Sequence, residues 1–313
     1  MTLVPSTLTP STPASGSFSG HETFALRSAW LKKGMDGLAR HPDIFGREDA
    51  LVELGVGKNM VRAIRHWCLA TGVLEEGPVT AGTRSRPLQA SALGLRLLSD
   101  DGWDPFLEDD ASLWLLHWHL ATTEGRATTW YWVFNHFGEP EFSRDSLLLS
   151  LARLAENNQW NRVSQSSLKS DVSCFLRTYV PGKRGPNTTA EETLDCPFIT
   201  LGLIREAGEE HHYRFQNGTK QGLPDAVFVY ALLDFWAVRH SAQSTLSLRE
   251  ITHGVGSPGR VFRLDEDAVL AHFDSLPTLS RSRLEFDDSV TVRQLIKRAP
   301  VEKMEIMDDY YHS

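Results

Sequence analysis

Cysteine is scarce and scattered in this chain. Cys68, Cys174 and Cys196 are the three in 313 residues, and no two stand at a paired spacing. Neither a disulfide framework nor a cysteine-type zinc site is expected. Cys68 and Cys174 fall on apolar helix faces and read as core. No apolar run approaches the length of a membrane span. The N-terminus lacks a basic segment followed by an apolar one, so no signal peptide is expected and the cytoplasm is the default. Net positive charge is missing too. The formal charge of −8 argues against indiscriminate coating of DNA. Residues 1–100 nevertheless hold eleven Lys/Arg against nine Asp/Glu, and the remainder twenty-one against thirty-one. A local basic surface on the first third therefore stays open. The turn Gly254-Val255-Gly256-Ser257-Pro258-Gly259 lacks a Gly-Lys-Ser/Thr ending and follows no clear strand, so no nucleotide cofactor is expected.

What is present is an ordinary globular composition, 23% charged and 41% hydrophobic, with room for two or three domains. The most informative stretch runs from Glu48 to Leu98. It reads as a short helix (Glu48–Leu54), a turn through Gly55-Val56-Gly57, and a second helix from about Lys58 to Thr71. Val61, Ile64 and Cys68 recur at helical spacing and make one buried face. Lys58, Arg62 and Arg65 recur on another, with Asn59 and His66 beside them. A helix, a Gly-containing turn and a second helix with a basic face is the helix-turn-helix pattern, whose second helix offers its N-terminal residues to DNA. Pro78–Leu88, with Arg84 and Arg86, reads as an exposed basic hairpin, and Ala90–Leu98 as a further helix. That is winged-helix order. The competing reading is a protein-interaction module with a solvated charged face.

Residues 1–17 are mostly Ser, Thr and Pro and read as a disordered tail. Order begins at Phe18-Ser19-Gly20-His21-Glu22-Thr23-Phe24, followed by a helix over Ala25–Gly34 that carries Arg27 and Lys33, two further candidates for DNA contact. His21 and Glu22 fit an acid/base pair, metal ligands or phosphate contacts. They also fit a helix start, with Thr23 or Ser19 as the cap and Glu22 near the positive end.

Residues 101–160 turn acidic and aromatic. His117-x-His119 looks like a metal pair, but residues two apart on a helix point some 200° around the axis, which favours packing. Trp130–Asn135 reads as a helix or strand, and as core, because no basic residues alternate with its rings. Ser143–Trp160 reads as a helix, and Ser167 with Ser170-Asp171 as the start of another that ends near Tyr179. Lys169, Asp171 and Arg177 are polar residues at a possible site or on a solvated face. Lys183 and Arg184, in a Gly/Pro loop, are a second candidate for phosphate contact, and Asp195–Ile204 with His212–Phe215 reads as a strand-containing segment around an acidic turn. Leu223–His240 reads as a helix. A helix near Thr245–Ile251, the Gly-rich turn, a helix over Asp265–Leu276 and a hairpin (Leu284–Asp288 with Val290–Ile296) repeat winged-helix order with fewer basic residues, so this unit reads as structural or dimerising. The fold class expected is mainly α with small β hairpins: winged-helix-like units at 18–100 and 223–313 around a helical, aromatic-rich middle at 101–222. A homodimer is compatible with the aromatic middle.

The segments FSGHETFALRSAWLKKG, LGVGKNMVRAIRHW, LDCPFITLGLI, LPDAVFVYALLDFW, TLSLREI and GSPGRVFRLDED resemble a prokaryotic family of unknown function found with DNA phosphorothioation and related anti-phage gene clusters. The resemblance runs from Phe18 to about Lys297, and the Gly-His-Glu-Thr-Phe opening and SPGRVFRLDE are its most specific parts. It implies a component that nicks one strand of double-stranded DNA. Sulfur-transfer partners, a cysteine desulfurase and an ATP-using enzyme, would then replace a non-bridging phosphate oxygen by sulfur. It also implies Mg2+ or Mn2+, with Glu22, Asp171 and Asp195 as candidate carboxylates and His21 as candidate base. No PD-(D/E)xK or HNH pattern accompanies these residues. The alternatives are a non-catalytic DNA-binding adaptor and a winged-helix transcriptional regulator.

Overall fold

The glycine-containing turn at Gly55, with φ +60, joins α2 (Ala50–Glu53) to α3 (Lys58–Ala70) in the computed structural model, which describes residues 16–78, 86–182, 196–208, 211–289 and 292–313. Val61, Ile64 and Cys68 are buried as their spacing predicts, and Trp67 joins them. They pack on α1 (Ser28–Arg40), where Gly34 lets Cys68 approach closely. α1 starts three residues later than the sequence suggests. Neither Thr23 nor Ser19 caps it: its N-cap position is Arg27, without a side-chain cap. The segment before it turns instead through left-handed conformations at Ser19, Glu22 and Thr23.

β1 (Leu74–Glu76) and β2 (Leu88–Ala90) pair antiparallel and flank the stretch expected as a hairpin, which lies largely outside the described residues. Arg86 is exposed just before β2, and Arg84 lies outside the described residues. Ala90 belongs to the strand, so α4 (Ala92–Leu98) begins where the Ser91 hydroxyl accepts from Gly94 N–H.

α5 (Asp110–Thr122) is buried almost all round. His117 Nδ1 accepts from the Tyr179 hydroxyl at 2.9 Å while its Nε2–H donates to the Val261 carbonyl at 3.1 Å. His119 pairs with the Tyr230 hydroxyl. The two rings serve different partners, as their spacing predicts. Burial pushes His117 down to about 3 and His119 to about 4. Both are neutral when folded and gain a proton on unfolding once the pH drops below 6.5, the ordinary histidine value. In that window the unfolded chain binds more protons, so stability rises with pH and is lost as pH falls from 6.5 toward 4. Each group contributes about 1.4 kcal/mol per pH unit. The melting temperature is expected to drop already between about pH 7 and pH 5, above the range of ordinary carboxylates. A flat profile there would contradict neutral buried rings.

α6 (Thr128–Asn135) is a helix rather than a strand. β3 (Glu141–Ser143), α7 (Arg144–Asn157), α8 (Gln165–Tyr179), a 3-10 turn (Pro197–Leu201), β4 (Ile204–Glu206) and β5 (His212–Phe215) follow. α8 is capped by Ser164, not Ser167, because the Ser164 hydroxyl accepts from Ser167 N–H. Asp171 is therefore in the second turn, not the first. The middle of the chain thus holds a three-stranded antiparallel sheet, ordered β3-β5-β4.

The same strand order recurs C-terminally, with four helices after the first strand instead of two. α9 (Asp225–Arg239), β6 (Thr245–Ser247), α10 (Leu248–His253), α11 (Pro258–Val261), α12 (Glu266–Phe273), α13 (Leu276–Leu279), β7 (Leu284–Ser289) and β8 (Val292–Lys297) build a sheet ordered β6-β8-β7, and α14 (Lys303–Tyr311) packs back on α9. Thr245–Ser247 is strand, since Ser247 and Glu250 form a capping box that starts the helix only at Leu248. The helix expected over Asp265–Leu276 ends at Phe273. The SPGRVFR segment closes α6: Arg260 and Arg263 donate to the carbonyls of Asn135 and Val133, and Gly256 N–H to the Asn135 side chain. Cationic donors at a helix C-terminus satisfy carbonyls that have no partner within the helix.

Candidate nucleic-acid interface

The Gly-His-Glu-Thr-Phe turn lies between α3 and α8. Gly20 passes so close to the His66 ring that a Cβ would overlap Nδ1. Thr23 N–H donates to His21 Nδ1 at 3.1 Å, which leaves the proton on Nε2. Nε2–H then donates to Asp171 Oδ1 at 3.0 Å. The same carboxylate accepts from Ser19 N–H and, on Oδ2, from the Thr129 hydroxyl at 2.7 Å. His21 is 1% exposed and Asp171 0%. Trp67 and Trp130 pack against the imidazole. The structure thus brings together two of the four candidate catalytic residues, 150 positions apart in sequence, as an internal clasp whose polar atoms are already engaged. The clasp anchors the N-terminal strap, and Ser17 extends it by pairing with Thr128.

Glu22 points the other way. Its carboxylate is 30% exposed and 3.4 Å from the Arg62 guanidinium. Asp195 lies outside the described residues. Among the described residues no group of three or more His, Cys, Asp or Glu side chains is placed to hold a metal ion. The His21–Asp171 pair does not supply one, because its donors and acceptors are spent on each other and on the strap.

On α3, Lys58, Asn59 and Arg62 are exposed, and Arg65 is half-buried. His66 turns inward, 5.3 Å from the Trp67 ring and 5.9 Å from His21. Its Nε2 is buried without a partner among the described residues, and burial, with His21 and Arg65 nearby, pushes its pKa down to about 3. It is a neutral packing residue rather than a cation at the surface. Lys33 donates to the Leu54 carbonyl at 2.8 Å, closing the turn after α2. Arg27 lies 5.0 Å over the Trp30 ring. Lys183 and Arg184 lie outside the described residues. Two further arginines share the strap's surroundings: Arg177 of α8 donates to the Thr23 carbonyl, and Arg144 of α7 to the Ser173 hydroxyl. Arg177 was legible only as a polar residue on α8. No sequence signal singled out Arg144.

No helix among the described residues is long and apolar enough to cross a membrane. Comparison with known proteins fits the fold just described. A magnesium ion-bound SspB crystal structure is similar with a TM-score of 0.86 and 30% identity, over 96% of this chain and 90% of that one. A second SspB crystal structure is similar with a TM-score of 0.85 and 31% identity over the same shares. Comparison with curated proteins gives no match. The family model described as protein of unknown function (DUF4007) matches residues 18–311. The chain therefore belongs to the DUF4007 family, with an SspB-like fold.

Proposed function

We propose that this protein binds double-stranded DNA and nicks one strand as a component of a DNA phosphorothioation anti-phage system. The observation that carries the reading is the likeness to SspB across 96% of the chain. A winged helix has the order helix, strand, two helices, two strands, with the first strand beside the last; the middle unit keeps this order, and the C-terminal unit keeps the strand pairing with four helices after its first strand. The first unit has a 3-10 turn (Ile44–Gly46) in place of the first strand, and α3 is its recognition helix. Lys58, Asn59, Arg62 and Arg65 supply the contacts, with Arg86 on the hairpin reaching the adjacent backbone.

Mg2+ or Mn2+ is the proposed cofactor, on the magnesium-bound SspB alone. The described carboxylates do not assemble a site for it, so no cleavage step is routed through them. The sealed His21–Asp171 pair, with its polar atoms engaged by each other and the strap, favours a second reading: a DNA-binding adaptor that recruits sulfur-transfer proteins.

A supercoiled-plasmid assay separates the two. With Mg2+ or Mn2+, a nickase converts the plasmid to open circles, and EDTA abolishes the conversion. An adaptor leaves the plasmid supercoiled yet shifts it on a gel. In either case Arg62→Ala is expected to weaken binding and to lower the slope of log affinity on log salt by about 0.9, the value for one phosphate no longer neutralised. Neither conversion nor binding would sink both readings.

A further inference from the structure

We propose that the DNA backbone runs past α3 onto the outer face of α8, with Glu22 as an acidic gate between the two helices. This rests on the DNA-binding reading and extends it to residues outside the helix-turn-helix. Lys169, Ser173 and Arg177 follow one another at four-residue spacing, so they line one side of α8. Lys169 and Arg177 are exposed on it, and Ser173 is half-buried. The strap joins this line to α3 through consecutive residues. Glu22 faces Arg62 of α3, and the Thr23 carbonyl accepts from Arg177 of α8. The Ser173 hydroxyl in turn accepts from Arg144, the first residue of α7. Arg62, Arg177 and Arg144 are all exposed, and the chain of contacts from Arg62 to Arg144 holds a single carboxylate, that of Glu22.

This charge stands against a chain of net charge −8. A polyanion is the partner it suits, and a phosphodiester backbone is the polyanion that α3 already addresses. Extended positive faces of this kind set affinity and salt dependence rather than base choice. Glu22 neutralises Arg62 while no DNA is bound. A phosphate arriving at Arg62 meets the repulsion of that carboxylate, so Glu22 weakens the first contact and penalises any anion that cannot also engage α8.

The test is fluorescence anisotropy of the full chain with a labelled duplex of random sequence at about 50 to 200 mM salt. Arg177→Ala, Arg144→Ala and Lys169→Glu are each expected to weaken binding. The salt slope should fall by about 0.9 for each phosphate no longer neutralised. Glu22→Gln is expected to tighten binding roughly 2- to 5-fold, the scale of an exposed ion pair. Arg177→Ala also frees the Thr23 carbonyl and could loosen the strap. Lys169→Glu guards against that confusion, since its side chain makes no hydrogen bond or ion pair among the described residues. If Arg62→Ala weakens binding while the α7 and α8 variants behave as wild type, the track across α8 is wrong and the DNA reading stands. If the wild type binds no duplex at any salt, the DNA reading fails, and this proposal with it.

Discussion

Asp171→Ala is expected to destabilise the protein by about 3 to 5 kcal/mol, because it leaves three donors without their acceptor at about 1 to 3 kcal/mol each. Asp171 is fully buried and accepts from Ser19 N–H, His21 Nε2–H and the Thr129 hydroxyl. Its removal orphans three donors and opens a small cavity where water has no ready access. Against a typical total of 5 to 15 kcal/mol, that is about a third or more of the stability. The melting temperature should fall by roughly 5 to 8 °C. Asp171→Asn keeps the volume and one acceptor oxygen, so its loss should be smaller, about 1 to 2 kcal/mol. Limited proteolysis should then cut the alanine variant before Phe24, because the strap has lost its anchor. A variant that melts within a degree or so of wild type would show that the clasp contributes little, whatever its geometry.

That expectation separates stability from chemistry. A catalytic base or metal ligand must meet solvent or substrate, whereas His21 and Asp171 meet each other, a strap amide and a threonine. If Asp171→Asn folds and still nicks DNA, the clasp is purely architectural. If it folds, binds and no longer nicks, the pair must be exposed by a rearrangement on DNA.

The helix α3 was legible because its signals are local. Val61, Ile64 and Cys68 repeat at helical spacing, and Gly55 supplies the left-handed turn before it. Lys33 and His66 show the limit of that reading. Both are polar and on or near a basic stretch, yet one closes a turn through the Leu54 carbonyl and the other is wedged against Gly20. Side-chain direction at such positions depends on neighbours far away in sequence. The His21–Asp171 pair is of the same kind: both residues stood out chemically, but nothing in periodicity joins positions 150 apart. The middle sheet was legible only in part, and for a different reason: β5 falls in the segment that reads as strand-containing, while β3 gave no signal. Its strands are three, three and four residues long, too short for alternation to declare itself, and two helices separate β3 from β5. A run of serines at 164, 166 and 167 offers several equivalent caps, so the true start of α8 could not be read locally.

The SPGRVFRLDE segment, among the most specific in sequence, owes its constraint to packing, and Gly259 carries the second large effect. α11 is capped by the Ser257 hydroxyl, starts with Pro258, and crosses α10 at Gly259. A Cβ at Gly259 would sit 2.5 Å from both Cα and O of Thr252 and 2.8 Å from its carbonyl carbon. These are backbone atoms, which no rotamer change can move aside. Alanine in place of a helical glycine ordinarily gains about 1 kcal/mol. Overpacking a tight contact costs about 1 to 3 kcal/mol even where side chains can yield. Here the backbone itself must shift, so the steric cost exceeds the propensity gain. Gly259→Ala should therefore lose about 2 kcal/mol or more net. Any separation of α10 and α11 also draws Arg260 and Arg263 away from the carbonyls of Asn135 and Val133, exposing the end of α6. The matched control is Gly138→Ala, an exposed position where nothing lies within 4 Å and φ is not positive. It is expected to be neutral or to gain up to about 1 kcal/mol through the unfolded chain. Chemical denaturation of both variants decides the matter: equal midpoints would mean that the helix crossing has slack, while a large gap confined to Gly259 would show that close backbone contact, not chemistry, fixes this segment.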